Sequence, residues 1–317
     1  MTQTKTTLLF LFIILTQMSA QQANQFTQFG YTKSYYNPAL ASAEDNLSIT
    51  LRHRNQWSGI EGAPTGQAIL VSLPNLHESI SLGLYMNRNT VGISERQEAS
   101  LAYGYRLSTD QLKVSAGLQA TFLQFSNDFT DDRLIPIDGF ENDGAIEQGF
   151  FQKSLFNIGA GLYVQGNGFY GGVSVPKLVK SDLDFDLFST QALEDRILYG
   201  MFGLDLDLSP LWSFTPQALL KLSEAAPWDL DIQGVFIYQN QAHLGLNFRS
   251  GGTQESFLES VGCILGFRFS ERILAIMSYD FNTTLLRQFE NGSFEISLRY
   301  DMKNTKLPKE IHNPRYY

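Results

Sequence analysis

Between Asn46 and Tyr300 the chain reads as fourteen short stretches in which apolar and polar residues alternate, joined by links that are short and long in turn. Leu112, Val114, Ala116, Leu118, Ala120 and Phe122 alternate with Lys113, Ser115, Gly117, Gln119 and Thr121. Ala242, Leu244, Leu246 and Phe248 alternate with His243, Gly245, Asn247 and Arg249. Successive side chains on a strand point to opposite faces, so each stretch has one apolar face and one polar face. A barrel that meets lipid outside and encloses a polar lumen requires this arrangement. The expected strands are about 46–54, 65–73, 79–88, 95–107, 110–123, 155–165, 167–175, 194–207, 210–222, 228–238, 241–249, 256–269, 272–280 and 292–300. The fold class that follows is all-β, a transmembrane antiparallel up-and-down barrel.

The links test that reading independently. Even-numbered links are tight, as at Ser108-Thr109, Leu208-Ser209, Gln239-Asn240 and Ser270-Glu271. Odd-numbered links are mostly longer: 55–64, 89–94, 124–154, 176–193, 223–227, 250–255 and 281–291. Outer-membrane barrels sort their connections in this way, with short periplasmic turns and long extracellular loops. An even strand count puts both termini in the periplasm. Aromatic residues near strand ends, including Trp57, Tyr85, Phe122, Tyr170, Trp212, Trp228 and Tyr279, suit interfacial girdles. Glycines within strands, such as Gly83, Gly117 and Gly161, mark bends or close backbone approach.

Composition agrees. Charged residues are 17% of the 317, below the roughly 25% of ordinary soluble domains. Mean hydropathy is only −0.14, as expected when half of every strand is polar. A net charge of −9 argues against nucleic acid as a partner. Lys5, the apolar run Leu8–Leu15 and the small-residue exit Met18-Ser19-Ala20 read as a cleaved signal peptide over residues 1–20. The apolar run is too short to span a bilayer as a helix. The remaining organisation is an N-terminal motif segment at 21–45, the barrel at 46–300 and a periplasmic tail at 301–317.

No chemistry is evident. The single cysteine, Cys263, lies in an apolar strand, so there is neither a disulfide framework nor a zinc pattern. His53, His77, His243 and His312 have no serine at a telling spacing, and no G-x-S-x-G occurs. The acidic run Asp138–Glu147 has oxygen ligands but not the spacing of an EF-hand loop. We therefore expect no enzyme, no cofactor and no metal site. Asp182, Asp184 and Asp186 alternate with Leu183, Phe185 and Leu187, a pattern able to extend a strand and offer an edge to a partner.

The most specific local feature precedes and follows the first strand: Gln25-Phe26-Thr27-Gln28-Phe29, then Tyr36-Asn37-Pro38-Ala39-Leu40-Ala41, then Arg54-Asn55-Gln56-Trp57, then Gly62-Ala63-Pro64. This order resembles the opening of the PorP/SprF family of Bacteroidetes outer-membrane proteins. The match is carried by Phe26, Gln28, Asn37, Pro38, Ala39, Ala41, Arg54, Gln56, Trp57, Gly62, Ala63 and Pro64. Ser42 stands where the family usually has Gly, and Leu40 where it often has an aromatic. Ser suits that position only if no positive φ is required.

The resemblance implies a component of type IX secretion that supports export or surface anchoring of cargo, such as gliding adhesins, bearing a C-terminal targeting domain. Its partners would be outer-membrane lipid, the cargo's targeting domain and other secretion-system components. The motif residues would be partner contacts. For Trp57 an interfacial anchor, and for Arg54 a lumen charge paired to a carboxylate, are the structural alternatives. The segment before the first strand, with Asn37-Pro38 as a turn initiator, is able to tuck into the lumen or pack on the rim. A diffusion porin or small-solute transporter is the main rival. Arg52, Lys113, Gln119, Asn247, Arg249 and Arg299 are compatible with its polar lumen. A soluble β-rich surface protein is a third.

Overall fold

Period-two alternation becomes a wall once each stretch hydrogen-bonds to the next. A computed structural model describes residues 25–42, 46–73, 79–131, 133, 149–182, 193–194, 196–224, 226–251 and 257–302. Residues 1–20, expected above to be a signal peptide, the run 138–147, Asp184, Asp186, His77, His312 and the residues beyond Met302 lie outside the described residues. The barrel strands are β1 (Leu47–Asn55), β2 (Thr65–Ser72), β3 (Ile80–Val91), β4 (Ser94–Ser108), β5 (Lys113–Asp128), β6 (Phe150–Gln165), β7 (Phe169–Val175), β8 (Ile197–Leu204), β9 (Trp212–Ser223), β10 (Asp229–Tyr238), β11 (Ala242–Gly251), β12 (Ser260–Ser270), β13 (Ile273–Asn282) and β14 (Ser293–Met302). Each pairs antiparallel with its successor, and β14 returns to pair with β1 from Leu47↔Met302 to Asn55↔Phe294. The ring is therefore closed with fourteen strands, and no barrel edge is left to pair with another chain. Short extra pairings join Leu206–Asp207 to β9, and Ser181–Asp182 to Leu193–Glu194.

Side-chain exposure follows the alternation. Leu118, Leu162 and Ile232 are 63%, 57% and 51% exposed on the outer face, whereas Gln119, Gln233 and Asn247 are 7%, 0% and 0% exposed within. Cys263 also faces outward. The outer apolar surface is the lipid belt of an outer-membrane barrel, and the polar set lines the lumen.

Three expectations are corrected. The third link is not a loop over 89–94: β3 and β4 remain paired to Val91↔Ser94 and turn at Gly92-Ile93, with Gly92 at φ +55°. Thr90 faces Glu95 and the Arg88–Glu95 ion pair spans the two strands, so the ladder continues after the apolar alternation has ended. Similarly, 124–154 is not all loop, because β5 and β6 pair as far as Asp128↔Phe150. Finally, Tyr85 and Tyr170 do not belong to an interfacial girdle. Both are buried inside the lumen, on the parity opposite their apolar neighbours. Trp212, Trp228, Phe122 and Tyr279 do face outward.

Candidate functional site: a lumen plug and its anchors

The lumen is occupied by the chain's own N-terminal segment. Residues 25–42 contain three short 3-10 stretches, Phe29–Tyr31, Lys33–Tyr35 and Pro38–Ser42. Phe26, Thr27, Gln28, Phe29, Thr32, Tyr36, Asn37, Ala39 and Ala41 are each at most 2% exposed. A segment with so little regular secondary structure must satisfy its backbone and polar groups through the wall around it. Ser42 is the last residue of the third 3-10 stretch.

The first anchor is Arg54. Its Nη2 donates to Asp280 Oδ2 at 2.8 Å, and its Nη1 to Glu295 Oε2 at 2.9 Å and Thr27 Oγ1 at 3.0 Å. Thr27 in turn donates its backbone N–H to Glu295 Oε2 at 3.0 Å and its hydroxyl to Asp280 Oδ2. Gln28 Nε2 donates to the carbonyl of Glu295 at 3.0 Å and to Ser278 Oγ at 3.2 Å. Gly262 faces this knot, and a Cβ there would lie 2.4 Å from Asp280 Oδ1 and 2.7 Å from Thr27 Cγ2. Arg54 is thus a lumen charge paired to carboxylates.

A second ionic cluster lies alongside. Asp231 accepts from Lys221 Nζ at 2.9 Å, Arg249 Nε at 2.9 Å and Asn247 Nδ2 at 3.2 Å. Gln233, one step along β10, donates from Nε2 to the carbonyl of Thr27 at 2.6 Å. Lys221 Nζ also donates to Asp229 Oδ2 at 3.0 Å, so two cations face two carboxylates in the interior, where an unpaired charge would be costly.

The Asn37-Pro38-Ala39 motif sits against the opposite wall. Asn37 Oδ1 accepts from the N–H of Ala39 at 3.0 Å, which makes the local turn, and its Nδ2 donates to the carbonyl of Leu162 at 2.9 Å. Ser174 Oγ donates to the carbonyl of Tyr36 at 2.7 Å. The backbone can come this close only because the wall lacks side chains. A Cβ on Gly117 would lie 2.2 Å from Ala39 N, and one on Gly161 2.1 Å from Asn37 Oδ1. Phe26, Phe29, Tyr36 and Leu40 then complete an apolar cluster with Tyr163, Tyr170, Tyr199, Met201 and Leu219 of the wall. Elsewhere, Tyr31 pairs its hydroxyl with His243 Nδ1 at 3.1 Å, and Lys33 Nζ lies 3.8 Å from the Tyr170 ring centroid.

The other motif residues build the extracellular rim. Gln56 N donates to the carbonyl of Pro64 at 2.9 Å and closes the first loop. Trp57, at φ +53°, donates its N–H to Ser293 Oγ at 3.1 Å. Ser58 and Gly292 bond through their backbones at 2.8 Å, and Gly92 N reaches the carbonyl of Gly62 at 2.8 Å. The first loop is thereby tied to the last loop and to the β3–β4 turn. The motif splits in two: Phe26, Gln28, Asn37, Pro38, Ala39 and Arg54 meet in the lumen, while Gln56, Trp57, Gly62, Ala63 and Pro64 meet on the rim. Sequence reasoning missed Asp280, Glu295, Asp231 and Lys221. Their signal was a charge on the lumen parity near the loop end of a strand.

Comparison with known proteins places this architecture. Solved structures that resemble the chain are outer-membrane barrels. The CymD monoaromatic hydrocarbon channel has a TM-score of 0.51 at 12% identity, covering 90% of this chain and 95% of its own. A Pseudomonas aeruginosa FadL homologue has a TM-score of 0.46 at 11% identity, covering 84% and 93%. The Acinetobacter baumannii outer membrane protein Omp33 has a TM-score of 0.46 at 8% identity, covering 82% and 100%. At 12% identity the likeness to CymD concerns the fold alone. No curated protein matches. A family model described as type IX secretion system membrane protein PorP/SprF matches residues 18–300, which include every motif and all but the end of the last strand. The chain belongs to the PorP/SprF family of type IX secretion membrane proteins and is an outer-membrane β-barrel.

Proposed function

We propose that this barrel acts by binding, not by catalysis or conduction: it supports the export or surface anchoring of cargo proteins that carry a C-terminal targeting domain, in concert with other type IX components. The observation that carries the reading is the filled lumen. A diffusion pore needs an open polar channel, whereas here the wall charges Arg54, Asp280 and Glu295, the wall glycines Gly117 and Gly161, and the wall tyrosines Tyr163, Tyr170 and Tyr199 meet an internal segment. What remains for recognition is the extracellular rim. Gln56, Trp57, Gly62, Ala63 and Pro64 lie on that rim, and of the motif residues these are the ones proposed as partner contacts. Lipid contacts the outer belt, and cofactors have no part in the proposed activity.

The test is removal of the gene, followed by quantification of targeting-domain proteins in the surface, periplasmic and culture fractions. Loss of one such cargo from the surface, with other secretion intact, is the expected result. Unchanged surface proteins together with altered small-solute uptake would sink the reading in favour of a porin. Single-channel recording of the purified barrel gives the same decision from the other side: a large steady conductance is incompatible with the filled lumen.

A further inference from the structure

The plug has a direction through the membrane. Its first described residue, Gln25, donates from Nε2 to Asp229 Oδ2 at 3.3 Å, and Asp229 is the first residue of β10, next to the extracellular link 224–228. Thr27 and Gln28 bond to Glu295 and Asp280, which flank the extracellular link 283–292 near the ends of β14 and β13. By Tyr31 the segment has reached His243, near the start of β11 and beside the periplasmic turn 239–241. Tyr31 also packs against the cluster of Ile264, Leu274 and Ile276, of which the last two lie near the periplasmic start of β13. Ala39 then crosses at Gly117, near the periplasmic start of β5, and Ala41 packs with Ala68, Leu70 and Tyr85. Finally β1 begins at its periplasmic end with Leu47. The segment therefore enters at the loop-side mouth and leaves on the turn side, contrary to an arrangement with both ends in the periplasm.

We propose that the amino-terminal end of the plug, at Gln25, is displayed at the cell surface, across the outer membrane from the end of β14. The two ends of the plug are held differently. The outer end is fastened by hydrogen bonds to Asp229, Asp280 and Glu295, and the inner end is continuous with β1. This inference rests on the orientation of the barrel and stands or falls independently of the secretion role.

Thiol labelling in intact cells tests it. In a Cys263→Ser background, Gln25→Cys is treated with a small membrane-impermeant maleimide. Glu61→Cys in the first extracellular loop and Gln241→Cys in a periplasmic turn serve as markers of the two sides. The expected result is labelling of Gln25→Cys and Glu61→Cys in intact cells, and of Gln241→Cys only after permeabilisation. Gln25→Cys labelled only after permeabilisation, alongside Gln241→Cys, would overturn the proposal, as would Gln241→Cys labelled in intact cells. Gln25 is half-buried, so a short epitope inserted just before it provides the second reading. Antibody binding to intact cells supports a surface-displayed end, and binding only after permeabilisation overturns it.

Discussion

The guanidinium of Arg52 lies over the ring of Phe26, with Cζ 3.2 Å from the ring centroid. The same group donates from Nη1 to Thr32 Oγ1 at 2.9 Å, so one wall side chain holds two separated points of the plug. A desolvated cation–π contact is worth about 2 kcal/mol. Arg52→Met, which keeps an apolar stem but loses both contacts, should raise local opening of residues 26–32 roughly tenfold or more, read by hydrogen exchange. Arg52→Lys should not restore protection, because a point charge cannot lie flat on the ring while reaching Thr32.

Arg54→Ala leaves Asp280 and Glu295 buried without their cation. Removing one partner of a buried ion pair costs about 3–5 kcal/mol. Unfolding of the purified barrel in urea should shift to lower concentration. A triple variant, Arg54→Met with Asp280→Asn and Glu295→Gln, should recover much of that loss. No recovery would mean that packing of the Arg54 stem, and not charge balance, sets the stability.

Gly117→Val places side-chain carbon where the backbone of Pro38 and Ala39 now runs. The plug must move, whereas the β4–β5–β6 ladder needs no change. Protease cleavage within 25–42 should accelerate while the strands remain resistant. A variant as resistant as the parent would contradict the close approach.

Deleting residues 25–42 should convert a closed barrel into a conducting one. Planar-bilayer recordings are expected to show stable channels for the deletion and none of comparable size for the intact protein. Because the same residues fill the interior apolar cluster, the deleted form should also unfold more readily.

Glu259 precedes β12 on the extracellular side, and burial, followed by the nearby Asp229 charge, raises its pKa above the ordinary carboxylate value. A raised carboxylate pKa favours the folded state at low pH, and that contribution is lost as pH rises through the folded pKa. Glu259→Gln should therefore stabilise the barrel slightly at neutral pH and make no difference in acid. Thermal midpoints of parent and variant that stay parallel across pH 4–8 would exclude this coupling.

The strand count and the inside–outside assignment were legible because lipid forces every outward position in the belt to be apolar. Legibility ended where lipid ends. At Asn89–Ser94 and Phe150–Ser154 both faces of the sheet meet water, so alternation disappears while the ladder of hydrogen bonds goes on. Tyr85 and Tyr170 were misassigned by position near a strand end, although the parity of Leu84 and Met86 already put Tyr85 inside. The motif residues were visible as a block, but their partners were not. Asp280 and Glu295 lie more than two hundred residues beyond Thr27 and Arg54 in sequence, and only closure of the ring brings them together. Residues 25–42 carry neither a two-residue nor a 3.6-residue period, because a segment enclosed on all sides has no face to repeat.

The pairing of β1 with β14 has a consequence for how the protein is made. Arg54 and Glu295, which flank that junction, are 241 residues apart, so the junction forms only after almost the whole chain has been synthesised. A cylinder already sealed would admit the amino-terminal segment only endwise, past two ionic clusters and a wall of tyrosines. Enclosing the segment while the sheet is still an open trough avoids that passage. The insertion machinery would then deliver to the membrane a product already corked, with no interval in which it leaks.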